Sequence, residues 1–325
     1  MNSRIANIIR ANDLGSLSLI SKTDFHLHAS RSCRMSDFAR AFGLTKLETN
    51  VNTFSNFDAM ETWVKNNIHP HIKGKNDWER RIALMFLAQK ADSIKIFEPS
   101  FTVKDILQYR TVNDFICRVE EIKKEFYPDS ELRASLSLSR KISPYKIQNQ
   151  VEEYLETGWF RSLDLCNDEA AGCLEDFKEI YRSANKLGII KKAHVGEYKG
   201  AKDIVKAIDV LMLDEVQHGV TIIEDADAIK FAIDRNIMFN VCPASNITMG
   251  LYPNYFEHPI KKMFHAGLKI TICTDDLLIF NKSVSEQIVE LHKHGIFSPI
   301  ELTEILNEGF IRRKTDGENS RYNSC

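Results

Sequence analysis

Eight short apolar runs recur along this chain, and each is followed by a longer segment whose apolar residues are spaced at i, i+3, i+4 and i+7. The runs lie in TDFHLHA, SIKIFEP, LRASLSL, FRSLDLC, IIKKAHVGE, DEVQHGV, IMFNVCP and KITICTDD. This alternation is typical of βα units that build a parallel sheet. Eight such units predict a closed (β/α)8, or TIM, barrel of the α/β class.

No Pro-, Gly- or Ser-rich linker divides the 325 residues, so we expect one domain over residues 1–312. The longest interruption follows the first predicted strand, where residues 45–75 carry more apolar and aromatic side chains than one barrel helix needs. We expect a helical flap there, over the C-terminal mouth where such barrels hold their active sites. Residues 313–325 are polar and predict a flexible tail.

Charge and hydropathy restrict the class of partner. Lys and Arg number 43 against 45 Asp and Glu, a net charge of −2. Nucleic-acid polymers and anionic membranes select proteins with a strong positive field, so we expect a small-molecule ligand instead. The sequence contains no apolar stretch of about 20 residues and no apolar N-terminal segment suited to secretion, which predicts a cytoplasmic protein.

His26 and His28 stand two positions apart in the first predicted strand. Side chains at i and i+2 of a strand point to the same face, which in a barrel strand is the interior. Such a pair can bind a divalent metal ion. Taken alone, the HxH pattern is equally compatible with two hydrogen-bonded histidines near a strand end.

Further metal-binding residue types occur at the ends of later predicted strands. They are His194 in HVGE, His218 in QHG, and Asp275 with Asp276 in CTDD. Two adjacent carboxylates after a buried strand repel one another and need a cation or hydrogen-bond donors. Zinc bound by histidine nitrogens and a carboxylate oxygen, with one position open for water, meets that need. The combined pattern predicts a metal site.

From HLH to LTEILNEGF, the chain resembles the adenosine and AMP deaminase family of metal-dependent hydrolases. The motifs that carry the resemblance are HLH, DLCNDE at 164–169, HVGE, QHG, CPASN at 242–246, HPIKKMFHAGLKITICTDD at 258–276 and LLIF. The resemblance implies a TIM barrel with one Zn²⁺ per chain, held by His26, His28, His194 and Asp275. It also implies a reaction in which water replaces the 6-amino group of a purine, giving a 6-oxopurine and ammonia.

The resemblance assigns a role to each remaining motif residue. His218 accepts a proton from the attacking water and positions it. Glu197, in protonated form, donates a hydrogen to purine N1, which requires a raised pKa in a dry pocket. Asp276 forms a hydrogen bond with N7. We also include Gly196, which directly precedes Glu197, among the candidate substrate contacts.

The sequence departs from the family pattern just after the second zinc histidine. Nucleoside-specific members usually carry an acidic residue two positions after it, which binds the ribose 5′ hydroxyl, whereas this chain has Ser30, followed by Arg31 and Arg34. An acidic residue would repel a 5′-phosphate, whereas serine and arginine supply donors suited to it. We therefore expect AMP or dAMP to be preferred over free adenosine. The alternative for both arginines is a solvated loop position.

A second departure concerns the base pocket. Asn167 replaces the family glycine whose backbone contacts purine N3. Deamination of another 6-aminopurine, such as adenine or a modified adenosine, is therefore an alternative within the same reaction class. A catalytically silent binding or assembly module is the alternative from another class, but the complete set of ligand and catalytic residues argues against it. After NEGFIRRK the chain has two alternatives: the exposed end is left to solvent, or a second subunit of a homo-oligomer covers it.

Overall fold

A parallel sheet runs through the centre of the computed structural model, which describes residues 2–44 and 53–315. Its strands are β1 (Lys22–His28), β2 (Ile94–Thr102), β3 (Glu131–Leu132), β4 (Ala134–Ser139), β5 (Phe160–Cys166), β6 (Ile190–Val195), β7 (Glu215–His218), β8 (Met238–Val241) and β9 (Lys269–Ile272). The spatial order is β1-β2-β4-β5-β6-β7-β8-β9, and the two-residue β3 pairs with β2 beside this path. The eight longer strands coincide with the eight apolar runs of the sequence.

The sheet closes where β1 meets the segment after β9. Leu27 pairs with Asp275 in an isolated parallel bridge, and the Asp275 N–H donates to the His26 carbonyl at 2.8 Å. A closed ring of eight parallel strands confirms the predicted TIM barrel. Closure also places the HxH strand next to the two aspartates, although about 250 residues separate them in the sequence.

The helices lie around the barrel and between its strands. They are Asn2–Arg10, Leu14–Ser18, Met35–Ala41, Phe57–Asn67, Lys75–Ala91, Val103–Ile106, Val112–Phe126, Gln148–Glu156, Lys178–Lys186, Ala201–Leu211, Ala226–Asp234, Pro243–Thr248, Ile260–His265, Leu277–Phe280, Val284–Lys293 and Pro299–Thr315. The helix Val112–Phe126 illustrates why they form. Thr111 and Asp114 build a capping box at its start, and its buried face includes Phe115 and Val119.

The insertion after β1 packs over the C-terminal mouth of the barrel. Asn56 caps the helix Phe57–Asn67 by accepting the Ala59 N–H at 2.9 Å. Met60 of this helix is buried in an apolar cluster with Met249 and Phe280, which come from the segments that follow β8 and β9. Residues 45–52 of the expected flap, and 316–325 of the expected tail, lie outside the described residues.

Charged side chains occupy the barrel interior below the mouth. Lys192 of β6 is fully buried, and its Nζ lies 2.5 Å from Glu98 and 3.1 Å from Glu215. The same Nζ donates to the Phe25 carbonyl at 3.1 Å. Buried charges require partners of this kind, because an unpaired charge in the interior is strongly destabilising. The described helices include none with the length and apolar character needed to cross a bilayer.

Candidate active site

The polar residues of the sequence motifs converge at the C-terminal ends of the strands. They are His26 and His28 of β1, His194 of β6, Glu197 just after β6, His218 at the end of β7, and Asp275 and Asp276 just after β9. His218 and Asp275 have φ angles of 63° and 58°, in the left-handed region. That conformation costs about 1–3 kcal/mol in non-glycine residues, so the surrounding structure must stabilise it. In this protein the left-handed backbone turns the side chains of His218 and Asp275 towards the C-terminal mouth of the barrel, where they lie 3.8 Å apart.

Three imidazoles and one carboxylate bring their ligand atoms together. His26 Nε2 lies 2.9 Å from His194 Nε2, and Asp275 Oδ1 lies 3.3 Å from His28 Nε2 and 3.7 Å from His26 Nε2. One ring nitrogen from each of the three histidines falls within 4.8 Å of the others. The four side chains therefore form one compact donor set.

The opposite ring nitrogens of two of these histidines are held by other groups. His194 Nδ1 lies 3.3 Å from Asp164 Oδ1, and His26 Nδ1 lies 3.3 Å from the Asn240 carbonyl oxygen. Hydrogen bonds of this kind leave Nε2 free as a ligand and fix the ring orientation. Two nitrogens bound to one tetrahedral zinc at 2.0–2.1 Å would be about 3.3 Å apart, close to the spacing of the His26 and His194 nitrogens. The donor set fits a zinc ion.

The site carries more negative charge than its histidines balance. Burial opposes the charged imidazole of His28, but Asp276 and Asp275 outweigh it and raise its pKa to about 9. Burial likewise opposes ionisation of Asp275, yet the hydrogen bond from His28 holds its pKa well below the usual range. A divalent cation would satisfy these carboxylates.

His218 and Glu197 form a pair beside this donor set. His218 Nε2 lies 3.8 Å from Glu197 Oε2 and 3.8 Å from Asp275 Oδ2. The side-chain nitrogen of Asn246 lies 3.3 Å from His218 Nδ1 and 3.4 Å from Glu197 Oε1, so one amide contacts both groups. His258 Nε2 in turn lies 3.1 Å from Asn246 Oδ1 and fixes that amide.

Burial favours the neutral form of both members of this pair. It raises the pKa of Glu197 well above the usual range, and the charges of Asp275 and Glu169 add to the effect. Burial also lowers the pKa of His218 to about 3, although Asp275 opposes the shift. Burial thus favours a protonated carboxyl group next to a neutral imidazole, a combination suited to acid–base chemistry.

Asp276 presents an unused oxygen. Its Oδ2 lies 3.1 Å from Arg31 Nη1, whereas its buried Oδ1 has no hydrogen-bond partner in the described part of the chain. Burial raises the pKa of Asp276 despite the charge of Arg31. A buried polar atom without a partner is costly, so this oxygen is suited to a hydrogen bond with a ligand.

Of the five residues that we expected to contact substrate, three line the cavity and two do not. Ser30, Arg31 and Asn167 line the cavity above the donor set. Arg34 does not: its Nη2 lies 2.8 Å from Glu286 Oε2, and Nη1 donates to the Asn281 carbonyl at 3.3 Å. Gly196 turns the chain with a φ of 74°, and its N–H donates to a carboxylate behind the site rather than to the cavity.

Several residues of the site carry no role in the sequence interpretation. Asp164 lies within the DLCNDE motif, but only the fold shows that it holds His194. Glu61 of the helix Phe57–Asn67 lines the cavity, and its Oε1 lies 2.9 Å from Arg31 Nη1. The hydroxyl groups of Ser100 and Ser137, at the ends of β2 and β4, also line the cavity. No sequence motif marks these last three positions.

A TIM barrel with histidine and carboxylate side chains gathered at its C-terminal mouth is an arrangement that can hold a catalytic metal ion. Residues 97–314 match the adenosine deaminase family, and the chain belongs to that family. A curated relative, the putative adenosine/adenine deaminase of Treponema pallidum, is 27% identical over 286 residues, covering 88% of this chain and 95% of the relative.

Solved structures share the fold at low sequence identity. An amidohydrolase from Burkholderia ambifaria with bound Zn superposes with a TM-score of 0.77 at 20% identity, covering 93% of this chain and 87% of that chain. The N6-mAMP deaminase of Arabidopsis superposes with a TM-score of 0.78 at 16% identity, covering 94% of this chain and 96% of that chain. These likenesses extend over almost the whole barrel.

Proposed function

We propose that this protein is a zinc-dependent hydrolytic deaminase that converts the 6-amino group of an adenine nucleotide or nucleoside into a 6-oxo group and releases ammonia. The observation that carries the proposal is the convergence of the His26, His28, His194 and Asp275 donor set with Glu197 and His218 at the mouth of the barrel, where all of them except His26 line one cavity. The completeness of this set favours an active enzyme over a silent binding module.

Each residue has a defined task in that reaction. His26, His28, His194 and Asp275 would hold a Zn²⁺ ion, which would make water at this site acidic enough to supply the nucleophile for purine C6. His218 accepts the proton of the attacking water and orients it. Glu197, kept protonated by burial, donates its hydrogen to purine N1 as C6 becomes tetrahedral. The amino group then leaves as ammonia, taking the proton that His218 accepted, and the C6 hydroxyl returns its proton to Glu197 as the 6-oxo group forms.

Asp276 orients the purine ring. Its unpartnered Oδ1 is suited to a hydrogen bond with N7, and the raised pKa favours the protonated form that such a bond needs. Arg31 holds the other oxygen of Asp276. Asn167, with a φ of 82°, presents its backbone near the base pocket in place of the family glycine.

We further propose that a 5′-monophosphate is preferred over the free nucleoside. Ser30 removes the carboxylate that would repel a phosphate, and Arg31 lines the cavity beside it. Ser30 contributes an uncharged hydroxyl side chain to the same cavity. The name of the Arabidopsis structure, an N6-mAMP deaminase, agrees with a nucleotide substrate.

Free adenine or a nucleoside is the second candidate substrate. Arg31 already pairs with Glu61 at 2.9 Å and with Asp276 at 3.1 Å, so a phosphate would have to compete with two carboxylates. Glu61 itself could accept a hydrogen bond from a sugar hydroxyl or a base nitrogen. The Treponema relative is named for adenosine and adenine.

A substrate panel tests both proposals. The zinc-loaded protein is assayed by the loss of absorbance at the adenine band with adenine, adenosine, deoxyadenosine, AMP, dAMP and N6-methyl-AMP. Release of the amine is measured in parallel, as methylamine for N6-methyl-AMP and as ammonia for the other substrates. We expect the highest kcat/KM with AMP or dAMP. Equal or better turnover of adenine or the nucleosides would contradict the phosphate preference. Absence of turnover across the whole panel would contradict the deaminase function.

A further inference from the structure

The carboxylate of Glu169, in the loop after β5, is enclosed by the backbone of the loop after β6. Glu169 is 4% exposed and accepts four consecutive N–H groups. Its Oε2 accepts from Gly196 at 3.1 Å and from Lys199 at 3.3 Å, and its Oε1 accepts from Glu197 at 2.7 Å and from Tyr198 at 3.2 Å. Consecutive backbone N–H groups that surround one anion form a backbone nest.

The shape of this nest depends on Gly196. Its φ of 74° turns the chain so that the four N–H groups point inward. A Cβ at this position would collide with the side chain of Ile204 and approach Thr221 Oγ1 to 3.0 Å. The local sequence therefore favours the turn, and the carboxylate supplies the acceptor that the turn requires.

We propose that Glu169 is a positioning residue for proton transfer, which holds the backbone of residues 196–199 so that the Glu197 carboxyl group faces His218. The inference rests on the proposed deaminase function. It assigns to the last residue of the DLCNDE motif a task that acts through Glu197, without contact with the substrate.

The geometry explains why an anion is needed at this position. A carboxylate has acceptor sites on both oxygens, so each can take two N–H groups. A glutamine of the same size would turn an NH2 group towards two of these donors, and the loop would have to move. A shift of about 1 Å in a proton donor can cost about 100-fold in rate.

The test is Glu169→Gln, with Asp168→Asn as the matched control in the same loop. Asp168 accepts only the nearby N–H of Ala170 at 2.9 Å among the hydrogen bonds that the structure describes for its carboxylate. We expect kcat of Glu169→Gln to fall at least about tenfold, with KM changed much less and zinc content unchanged. Asp168→Asn should stay within about twofold of wild type. Wild-type kcat in Glu169→Gln would overturn the proposal.

A double-mutant cycle with Glu197→Gln separates positioning from a general structural role. If Glu169 acts through Glu197, then adding Glu169→Gln to Glu197→Gln should reduce the residual kcat by less than about twofold. Multiplication of the two losses would overturn the proposal. If Glu169→Gln does not fold, Glu169→Asp, which keeps the charge but shortens its reach, takes its place in the same cycle.

Hydrogen exchange supplies a readout that is independent of turnover. Amide exchange over residues 196–199 should accelerate in zinc-loaded Glu169→Gln and stay at the wild-type rate in Asp168→Asn. Unchanged exchange in Glu169→Gln would overturn the inference. A wild-type protein that turns over no member of the substrate panel would instead overturn the deaminase function, so the two failures are distinguishable.

Discussion

The Nε2 atoms of His26 and His194 lie 2.9 Å apart at the mouth of the barrel, although 168 residues separate them in the chain. The Nδ1 atom of each ring is held by another group, the Asn240 carbonyl oxygen for His26 and Asp164 Oδ1 for His194, and these contacts set the ring orientations that bring the two Nε2 atoms together. Burial and the neighbouring histidines lower the pKa of His26 well below its usual value, so this ring is neutral and able to bind a metal.

Removal of the first-strand histidines should abolish metal binding. We expect His26→Ala combined with His28→Ala to lose stoichiometric zinc, because two of the four donors disappear. Zinc content measured by mass spectrometry after dialysis checks this. His292→Ala, on the outer helix Val284–Lys293, serves as a control that should keep one zinc per chain. Retained zinc in the double variant would refute the ligand assignment.

Asp164 should strengthen zinc affinity without itself binding the metal. Because its carboxylate holds His194 Nδ1 at 3.3 Å, we expect Asp164→Asn to weaken zinc affinity about 10–100-fold. Competition with a calibrated chelator measures the affinity. An unchanged dissociation constant would show that the contact with His194 has no effect on the site.

Glu197 should be required for turnover but dispensable for binding. We expect Glu197→Gln to retain zinc and nucleotide while kcat falls at least about 100-fold, because the amide cannot act as a proton donor. Calorimetric titration with the preferred panel substrate measures binding. In the wild type, kcat/KM should fall as the pH rises through the raised pKa of Glu197, since the donor is then ionised. A fully active variant would refute the role.

Arg31 and Arg34 should differ in their effect on specificity. We expect Arg31→Met to lower the AMP-to-adenosine ratio of kcat/KM about tenfold or more, because one charged donor to the phosphate is lost. Arg34→Met is the matched control, since Arg34 pairs with Glu286 away from the cavity. Equal losses for AMP and adenosine in Arg31→Met would place the effect on Asp276 instead of the phosphate.

Lys192 should be essential for stability. Lys192→Met leaves Glu98 and Glu215 buried without their shared cation, and we expect a loss of about 3–5 kcal/mol in the free energy of unfolding. Urea denaturation of the zinc-loaded protein measures it. Lys230→Met, which breaks an exposed pair with Asp234, should change stability by less than about 1 kcal/mol.

The sequence by itself determined the barrel and the positions of the histidines and aspartates that could bind a metal. Both follow from local rules: period-2 strands, helical spacing, and histidine or aspartate at the ends of strands. Because parallel strands end at one mouth, His26 and Asp275 could be expected to meet despite their separation.

Only the tertiary structure decided which other groups share that mouth. Arg34 follows Arg31 by three positions, yet the turn after β1 directs it to Glu286 and away from the cavity. Glu169 reaches the site from the loop after β5 and Glu61 from the helix Phe57–Asn67, and their contacts depend on how these segments pack, which no residue spacing encodes. The direction of these side chains is set by packing between segments that are distant in the sequence, so it could be assigned only from the tertiary structure.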